Sequence, residues 1–298
     1  MTHTELKPGK LKLSTIVAGA WRMADWNWNP QDRLHWIEQC IERGVTSFDH
    51  ADIYGNYSVE GLFGEALALN PELRNQMQLV SKCGIKLISD RRPEHRIKSY
   101  DHSKKHIIWS VENSLRELRT DRLDLLLLHR PSPLMQADEV AEAFSELQQQ
   151  GKVLAFGVSN FTPHQFDLLN SRFELVTNQI ELSPLHLDPL HDGTLDQLQK
   201  ERVAPMVWSP LAQGRIFTDS GERSVRVRLT LERLANEHGV SVATLVYAWI
   251  LKHPSRPLPI TGSQRMQVIN EAVQALNVQL SEQDWFEVWQ ASQGHEVP

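Results

Sequence analysis

The 298-residue chain is 41% hydrophobic and 23% charged, with a formal net charge of −6; this is the composition of a folded protein with a sizeable buried core, not of a disordered one. The acidic balance argues against nucleic acid or an anionic membrane as partner, and no apolar run reaches transmembrane length. The first residues, Met1-Thr2-His3-Thr4-Glu5-Leu6-Lys7, carry no apolar signal region, and the two cysteines, Cys40 and Cys83, read as reduced core thiols, so the chain is expected to be cytoplasmic.

In chain order, Leu11-Lys12-Leu13 and Ile16-Val17-Ala18-Gly19 read as short strands, the first in a hairpin over one end of the fold. A loop from Trp21-Arg22 to Asn29-Pro30 precedes a helix over residues 31–43, stopped by Gly44. Residues 45–49 form a strand, Tyr54-Gly55 lies in a loop, 58–69 is a helix and 78–82 a strand. The polar, basic segment 84–103 is longer than most loops, as lids often are. A helix over 104–119, a strand over 123–129, a helix over 137–150 and a strand over 153–158 follow. Thr162-Pro163 is the start signal of another helix, threonine capping and proline in the first turn. Strands are expected at 175–180, 204–208 and 258–261, and helices at 193–201, 225–253 (broken near Gly239-Val240-Ser241), 266–276 and 282–291.

Eight strand-then-helix units without a linker or composition shift predict one (β/α)8 barrel domain over residues 1–298, with an N-terminal hairpin and an extra C-terminal helix. The near-continuous apolar strands fit a parallel sheet covered on its outer face. An open doubly wound sheet would want a glycine-rich turn after the first strand, and Val17-Ala18-Gly19-Ala20-Trp21 does not supply one. No zinc-type ligand spacing stands out, and most of the 13 histidines are expected at the surface.

In such a barrel the C-terminal ends of the strands surround the site. Asp49, Lys82, His129, Asn160, Gln179 and Trp208 all fall at strand ends or just after them. Any one alone is as well explained as a solvated rim residue or a core filler; six together point to a site. A buried carboxylate is costly unless something positive meets it. An Asp49–Lys82 pair beside Tyr54 makes sense as an acid catalyst: the ammonium stabilises the tyrosinate and draws the phenol pKa down, and the carboxylate keeps the lysine charged. His129 is placed to orient a carbonyl oxygen.

With Phe48-Asp49-His50-Ala51-Asp52-Ile53-Tyr54-Gly55, Ser81-Lys82-Cys83-Gly84, His129-Arg130-Pro131, Gly157-Val158-Ser159-Asn160-Phe161, Asn178-Gln179 and Trp208-Ser209-Pro210-Leu211-Ala212-Gln213-Gly214 in this order, the chain resembles the aldo-keto reductases, and within them the bacterial oxidoreductases of YdhF type. The resemblance implies NADPH-dependent reduction of a small aldehyde or ketone, with NADH accepted more weakly. Tyr54 would be the general acid, Lys82 and Asp49 its tuning pair, and His129 the carbonyl-orienting residue. Ser159, Asn160 and Gln179 would hold the nicotinamide carboxamide, and Trp208 would stack on the ring. Ser209, Pro210, Leu211, Gln213, Gly214 and Arg215 would wrap the pyrophosphate. Gly262, Ser263, Gln264 and Arg265 would take the adenosine phosphate, where Val268 replaces an arginine usual in the family. Gly19, Trp21 and Arg22 complete the expected cofactor set, and Trp21, Trp26, Trp28, Tyr57 and the 84–103 segment are candidates for a substrate wall. No metal is implied, the partner is a small carbonyl compound, and a monomer or weak homo-oligomer is expected. The competing readings are a nicotinamide-binding redox reporter with little turnover and, from fold analogy, an isomerase or aldolase using Lys82 as a Schiff base.

Overall fold

Eight parallel strands close on themselves in chain order: β1 (Val17–Gly19), β2 (Ser47–Asp49), β3 (Gln78–Cys83), β4 (Leu123–Leu128), β5 (Val153–Ser159), β6 (Asn178–Glu181), β7 (Met206–Trp208) and β8 (Leu258–Thr261), with β8 pairing back to β1. The computed structural model describes residues 3–296; Met1, Thr2, Val297 and Pro298, the ends of the expected 1–298 domain, lie outside the described residues. The expected (β/α)8 barrel is therefore the observed fold. Its crossover helices are α1 (Pro30–Glu42), α2 (Val59–Leu67), α3 (Lys104–Leu118), α4 (Ala137–Gln149), α5 (Pro163–Asn170), α6 (Thr194–Lys200), α8 (Val242–Leu251) and α9 (Met266–Gln274), with α7 (Glu222–His238) and α10 (Glu282–Gln293) added.

Strand period two sorts the core into two clusters. Val17, Val80, Leu125, Leu127, Ala155, Met206, Leu258 and Ile260 fill the barrel interior. Phe48, Leu79, Leu126, Leu128, Phe156 and Cys83 belong to the cluster packed beneath the helices. The hairpin of His3–Glu5 with Lys12–Ser14 closes the N-terminal end of the barrel. It lends Leu6 and Leu13 to the inner cluster, the Leu6 carbonyl accepts from Ala204 N at 2.7 Å, and Ser47 Oγ accepts from Ser14 N at 2.8 Å.

Where local signals are strong, the elements fall where the sequence puts them. Pro163 begins α5 behind a Thr162–Gln165 capping box, and Asn29 caps α1 with proline at its first turn. The expected helix over 225–253 is two helices, α7 and α8, parted at Gly239–Ser241. The former is not a crossover helix but packs against α10: Arg223 donates to Ser292 Oγ at 2.8 Å, and His238 meets Asp284 at 3.1 Å. The strands expected at 175–180 and 204–208 are shorter in the structure, where pairing begins at Asn178 and Met206. The residues before them are buried on the way into the strands: Leu175, Val176 and Ala204 are almost fully covered, and Val176 N already donates to the Phe156 carbonyl of β5 at 2.9 Å.

The histidines are less superficial than expected. Only His3, His35, His164, His191 and His295 are exposed, and His50, His102 and His129 are buried. Among the described residues no helix is long and apolar enough to cross a membrane, and no group of three or more potential ligands could hold a metal ion. Both cysteines are free and buried.

Candidate active site

Alternation along four strands brings polar side chains to the C-terminal end of the barrel interior. Below Lys82 on its strand lies inward Val80, and below His129 lie Leu125 and Leu127. Lys82 Nζ donates to both Asp49 oxygens at 2.8 Å, to the His50 carbonyl at 2.8 Å and to Tyr54 Oη at 3.0 Å. Gln179 Nε2 donates to Asp49 Oδ1 at 2.8 Å. The ammonium and the carboxylate are 1% and 3% exposed, so the pair exists in low dielectric, where a satisfied pair persists and a broken one is costly.

The electrostatics depart from the simplest expectation in one respect. Burial pushes the Tyr54 phenol above its ordinary pKa, the Lys82 charge working against that push and Asp49 adding to it. The lowering expected from Lys82 is thus present only as an opposing influence, because desolvation of the phenol penalises phenolate by more than the ammonium favours it. Burial also acts to lower Lys82, but the Asp49 carboxylate and Tyr54 outweigh it and hold the ammonium above its usual value. His129 is driven well below the ordinary histidine value by burial and by the charges of Lys82, Arg130 and Lys98, so it is neutral. Its ring meets that of Tyr54 edge to face at 5.9 Å, its Nδ1 has no partner, and it lines the cavity.

Tyr54 is presented by a feature the sequence did not announce. Rather than a loop, residues Tyr54–Tyr57 form one turn in which Gly55, Asn56 and Tyr57 all have positive φ, at 55°, 56° and 62°. Glycine and asparagine tolerate this conformation; a tyrosine there is strained by about 1 kcal/mol or more. The Tyr57 strain is held by its surroundings: Oη accepts from Leu87 N at 2.9 Å, and the Arg92 guanidinium lies 4.7 Å from the ring centroid. Tyr57 therefore ties down the 84–103 segment and does not line the cavity. That segment is no plain loop, since Ile85–Lys86 pairs antiparallel with Ser99–Tyr100, and it gives Ile85, Leu87 and Lys98 to the cavity wall.

The cavity, about 960 Å³, runs from Tyr54, Asp49 and His129 past Trp208 to Gly262, Ser263 and Arg265. Gly19, Trp21, Arg22, Gln179, Ser209, Pro210, Leu211, Gln213 and Gly214 also line it, as does Val268. Lys82, Ser159, Asn160, Arg215 and Gln264 are not on its wall. Lys82 lies behind Tyr54. Ser159 and Asn160 form a relay instead: Trp208 Nε1 donates to Asn160 Oδ1 at 3.1 Å, Asn160 Nδ2 to Ser159 Oγ at 2.9 Å, and Ser159 Oγ to the Gln179 carbonyl at 3.0 Å. Arg215 donates to the Ala212 carbonyl and opens the short helix Arg215–Thr218. Trp21 stands 52% exposed at the mouth, whereas Trp26 leaves the mouth to pack on Trp36 and Trp28 packs on Trp26, ring centroids 5.1 and 4.8 Å apart.

Sequence reasoning missed several lining residues: Arg130, Phe217, Ser241, Tyr247 and Glu271. Arg130 was within reach, since it directly follows strand-end His129. Tyr247 and Glu271 sit within regular helical patterns and gave no signal of their own.

The sequence pattern of the Aldo/keto reductase family matches residues 15–293. Over 98% of both chains the protein is 50% identical to the oxidoreductase YdhF of Escherichia coli. Over 97% of both it is 43% identical to a 6-dehydroglucose reductase of Agrobacterium fabrum. Among solved structures, the thermostable aldo-keto reductase Tm1743, in complex with the inhibitor epalrestat, superposes with a TM-score of 0.83 at 26% identity, covering 98% of this chain and 100% of that one. With a match that takes in all eight barrel strands, the chain belongs to the aldo/keto reductase family, oxidoreductases that use nicotinamide cofactors.

Proposed function

We propose that the protein is an NADPH-dependent reductase of aldehyde or ketone carbonyls, working in the cytoplasm, with Tyr54 as its general acid. The observation that carries this is the buried Asp49–Lys82–Tyr54 chain, with every link at 2.8–3.0 Å, whose Asp49 and Tyr54 line a cavity of about 960 Å³ that reaches to Arg265. The residues present fit that cofactor. The turn after β7 puts Ser209, Ala212 and Gln213 at positive φ, its Ala212 and Gly214 amides donate to the Ser209 and Leu211 carbonyls, and no atom lies within 4 Å of a Cβ built on Gly214, so the turn is closed on itself and leaves open space for a phosphate against its backbone. Helix α9 has no side-chain cap, which leaves its first amides free for a phosphate beside Arg265. Gly19 packs so closely on β8 that a Cβ would stand 2.9 Å from Ile260 Cγ2.

The bound cofactor supplies the hydride that the carbonyl carbon receives. This chain's residues manage the proton. Tyr54 Oη gives its proton to the carbonyl oxygen, and its raised pKa keeps that proton in place until the oxygen becomes strongly basic. The phenolate left behind is met by Lys82 Nζ at 3.0 Å, itself held charged by Asp49. Neutral His129 can donate to the same oxygen without a charge of its own. The relay from Trp208 through Asn160 and Ser159 fixes the indole and Gln179 for the nicotinamide. The relative that is a 6-dehydroglucose reductase agrees with carbonyl reduction.

The test is Tyr54→Phe: turnover falls by about 10²- to 10⁴-fold while NADPH affinity, read by tryptophan fluorescence, stays near wild type. Normal turnover in this variant removes Tyr54 from the mechanism. Tight NADPH binding by wild-type protein without turnover of any aldehyde, ketone or dicarbonyl would favour a redox reporter instead. With Val268 on the wall where relatives often have arginine, Arg265 is the remaining cation for the 2′-phosphate. Arg265→Ala is expected to weaken NADPH by about 10- to 100-fold and NADH hardly at all, and Val268→Arg to sharpen the preference; equal losses for both cofactors would sink the assignment.

A further inference from the structure

Beside His129 the cavity wall carries positive charge that no protein carboxylate answers. Arg130 is clamped in place: Nη1 donates to the His129 carbonyl at 2.8 Å and reaches Ser159 Oγ at 3.4 Å. Its guanidinium lies 5.7 Å from the Trp208 ring centroid. Nε and Nη2 have no partner among the described residues, and both Arg130 and the exposed Lys98 line the cavity. Neither forms an ion pair with any described residue. Of the wall's carboxylates, Asp49 is engaged by Lys82 and Gln179, and Glu271 accompanies Val268 and Arg265 on the stretch that the adenosine phosphate would occupy. Glu181, whose charge reaches Arg130, is off the wall and lies 4.0 Å from His186.

A half-buried arginine held by neutral acceptors alone, with the rest of its donor fork free, is arranged to receive a planar or tetrahedral anion. The chain's formal charge is −6, so this local cationic wall runs against the protein's overall balance. We propose that the carbonyl substrate carries an anionic group, a carboxylate or a phosphate ester, that Arg130 seats beside His129 with the help of Lys98. This rests on the reductase reading and deepens it to a substrate class: acidic or phosphorylated aldehydes and ketones.

Two matched pairs test it, with NADPH oxidation as the readout: 4-carboxybenzaldehyde against methyl 4-formylbenzoate, and glyceraldehyde 3-phosphate against glyceraldehyde. In at least one pair the anion is expected to be favoured by about 10- to 100-fold in kcat/KM, chiefly through KM, and the favoured pair tells carboxylate from phosphate. Arg130→Met should collapse that ratio towards one, and Arg130→Lys should restore part of it. Lys98 is exposed, so Lys98→Met should fold and lower the ratio by about 3-fold. Raising ionic strength should raise KM for the anion and leave the neutral partner's alone. Equal kcat/KM within both pairs, or an Arg130→Met loss shared equally by anion and neutral partner, overturns the anion site while the reductase reading stands. Oxidation of NADPH with none of the four overturns both.

Discussion

The two sides of the β2–β3 pair are buried to the same degree and have solved the problem of burial in opposite ways. On the inner side Asp49 and Lys82, 3% and 1% exposed, stay charged because each is the other's partner at 2.8 Å. On the outer side, one residue along each strand, His50 and Ser81 face the helices. His50 is fully covered, packs on Phe63 at a ring distance of 4.5 Å, and has no partner for either ring nitrogen. Burial, aided by the Lys82 charge, pushes it down to about 3. Glu60 accepts from Ser81 Oγ at 2.6 Å and Ser114 Oγ at 3.0 Å, yet burial pushes it up to about 7; Asp52 is likewise raised well above the usual carboxylate value, by burial and by Glu60. Hydroxyl donors do not substitute for an opposite charge. At this strand pair burial disfavours ions, and the two that survive it, Asp49 and Lys82, are each other's counter-ion.

Breaking the inner pair should have the largest effect. Lys82→Met leaves a buried carboxylate with only Gln179 beside it, at a cost of about 3–5 kcal/mol in urea unfolding. Activity should fall at least as far as in Tyr54→Phe, and a variant that lost stability but kept turnover would make the pair purely structural. Asp49→Asn should be milder. Without its anion, the buried Lys82 loses what raised its pKa, so the alkaline fall in activity should begin at lower pH than in wild type. Unchanged kinetics would reassign Asp49 to a structural ion pair.

The outer side predicts stability rather than rate. Glu60 is raised from 4.5 to about 7, so above pH 4.5 the unfolded chain ionises while the folded one holds its proton. Stability therefore falls as pH rises from about 4.5 to 7, by roughly 3 kcal/mol in all. Glu60→Gln should erase that slope, gaining on wild type in Tm between pH 5 and pH 8; parallel Tm curves would show that the carboxyl is charged after all. For His50 the sign reverses. A folded value of about 3 against 6.5 means that stability is lost as pH falls below 6.5, by about 2 kcal/mol at pH 5. His50→Phe should gain on wild type as pH drops from 7 to 5, a trend that an ion pair at His50 would invert.

How much was legible in the chain follows from the same contrast. Asp49, Lys82 and His129 were readable because each ends an apolar strand, and although any one of them alone could be a rim residue, polar residues at the ends of several strands together point to a site. Glu60 was not, because an acidic residue in the first turn of an amphipathic helix is ordinary. Arg130 was quoted as part of a motif without a role, since only its free donor edge on the cavity wall distinguishes it from a solvated arginine. Trp26 and Trp28 look like Trp21 in sequence, and only packing sends Trp26 to Trp36 and Trp28 to Trp26 while Trp21 stays at the mouth.

By itself the sequence determined the eightfold alternation of strand and helix and which side of each strand a residue faces, because both depend on local periodicity and on turn and cap residues. The tertiary structure decided what meets what. Asp49 finds Lys82 33 residues away and Gln179 130 residues away only because the barrel closes. The left-handed turn that presents Tyr54, the strand pairing within the 84–103 segment and the neutral state of His129 likewise depend on surroundings supplied by distant parts of the chain, and protonation follows burial and contact, neither of which is a property of a residue in isolation.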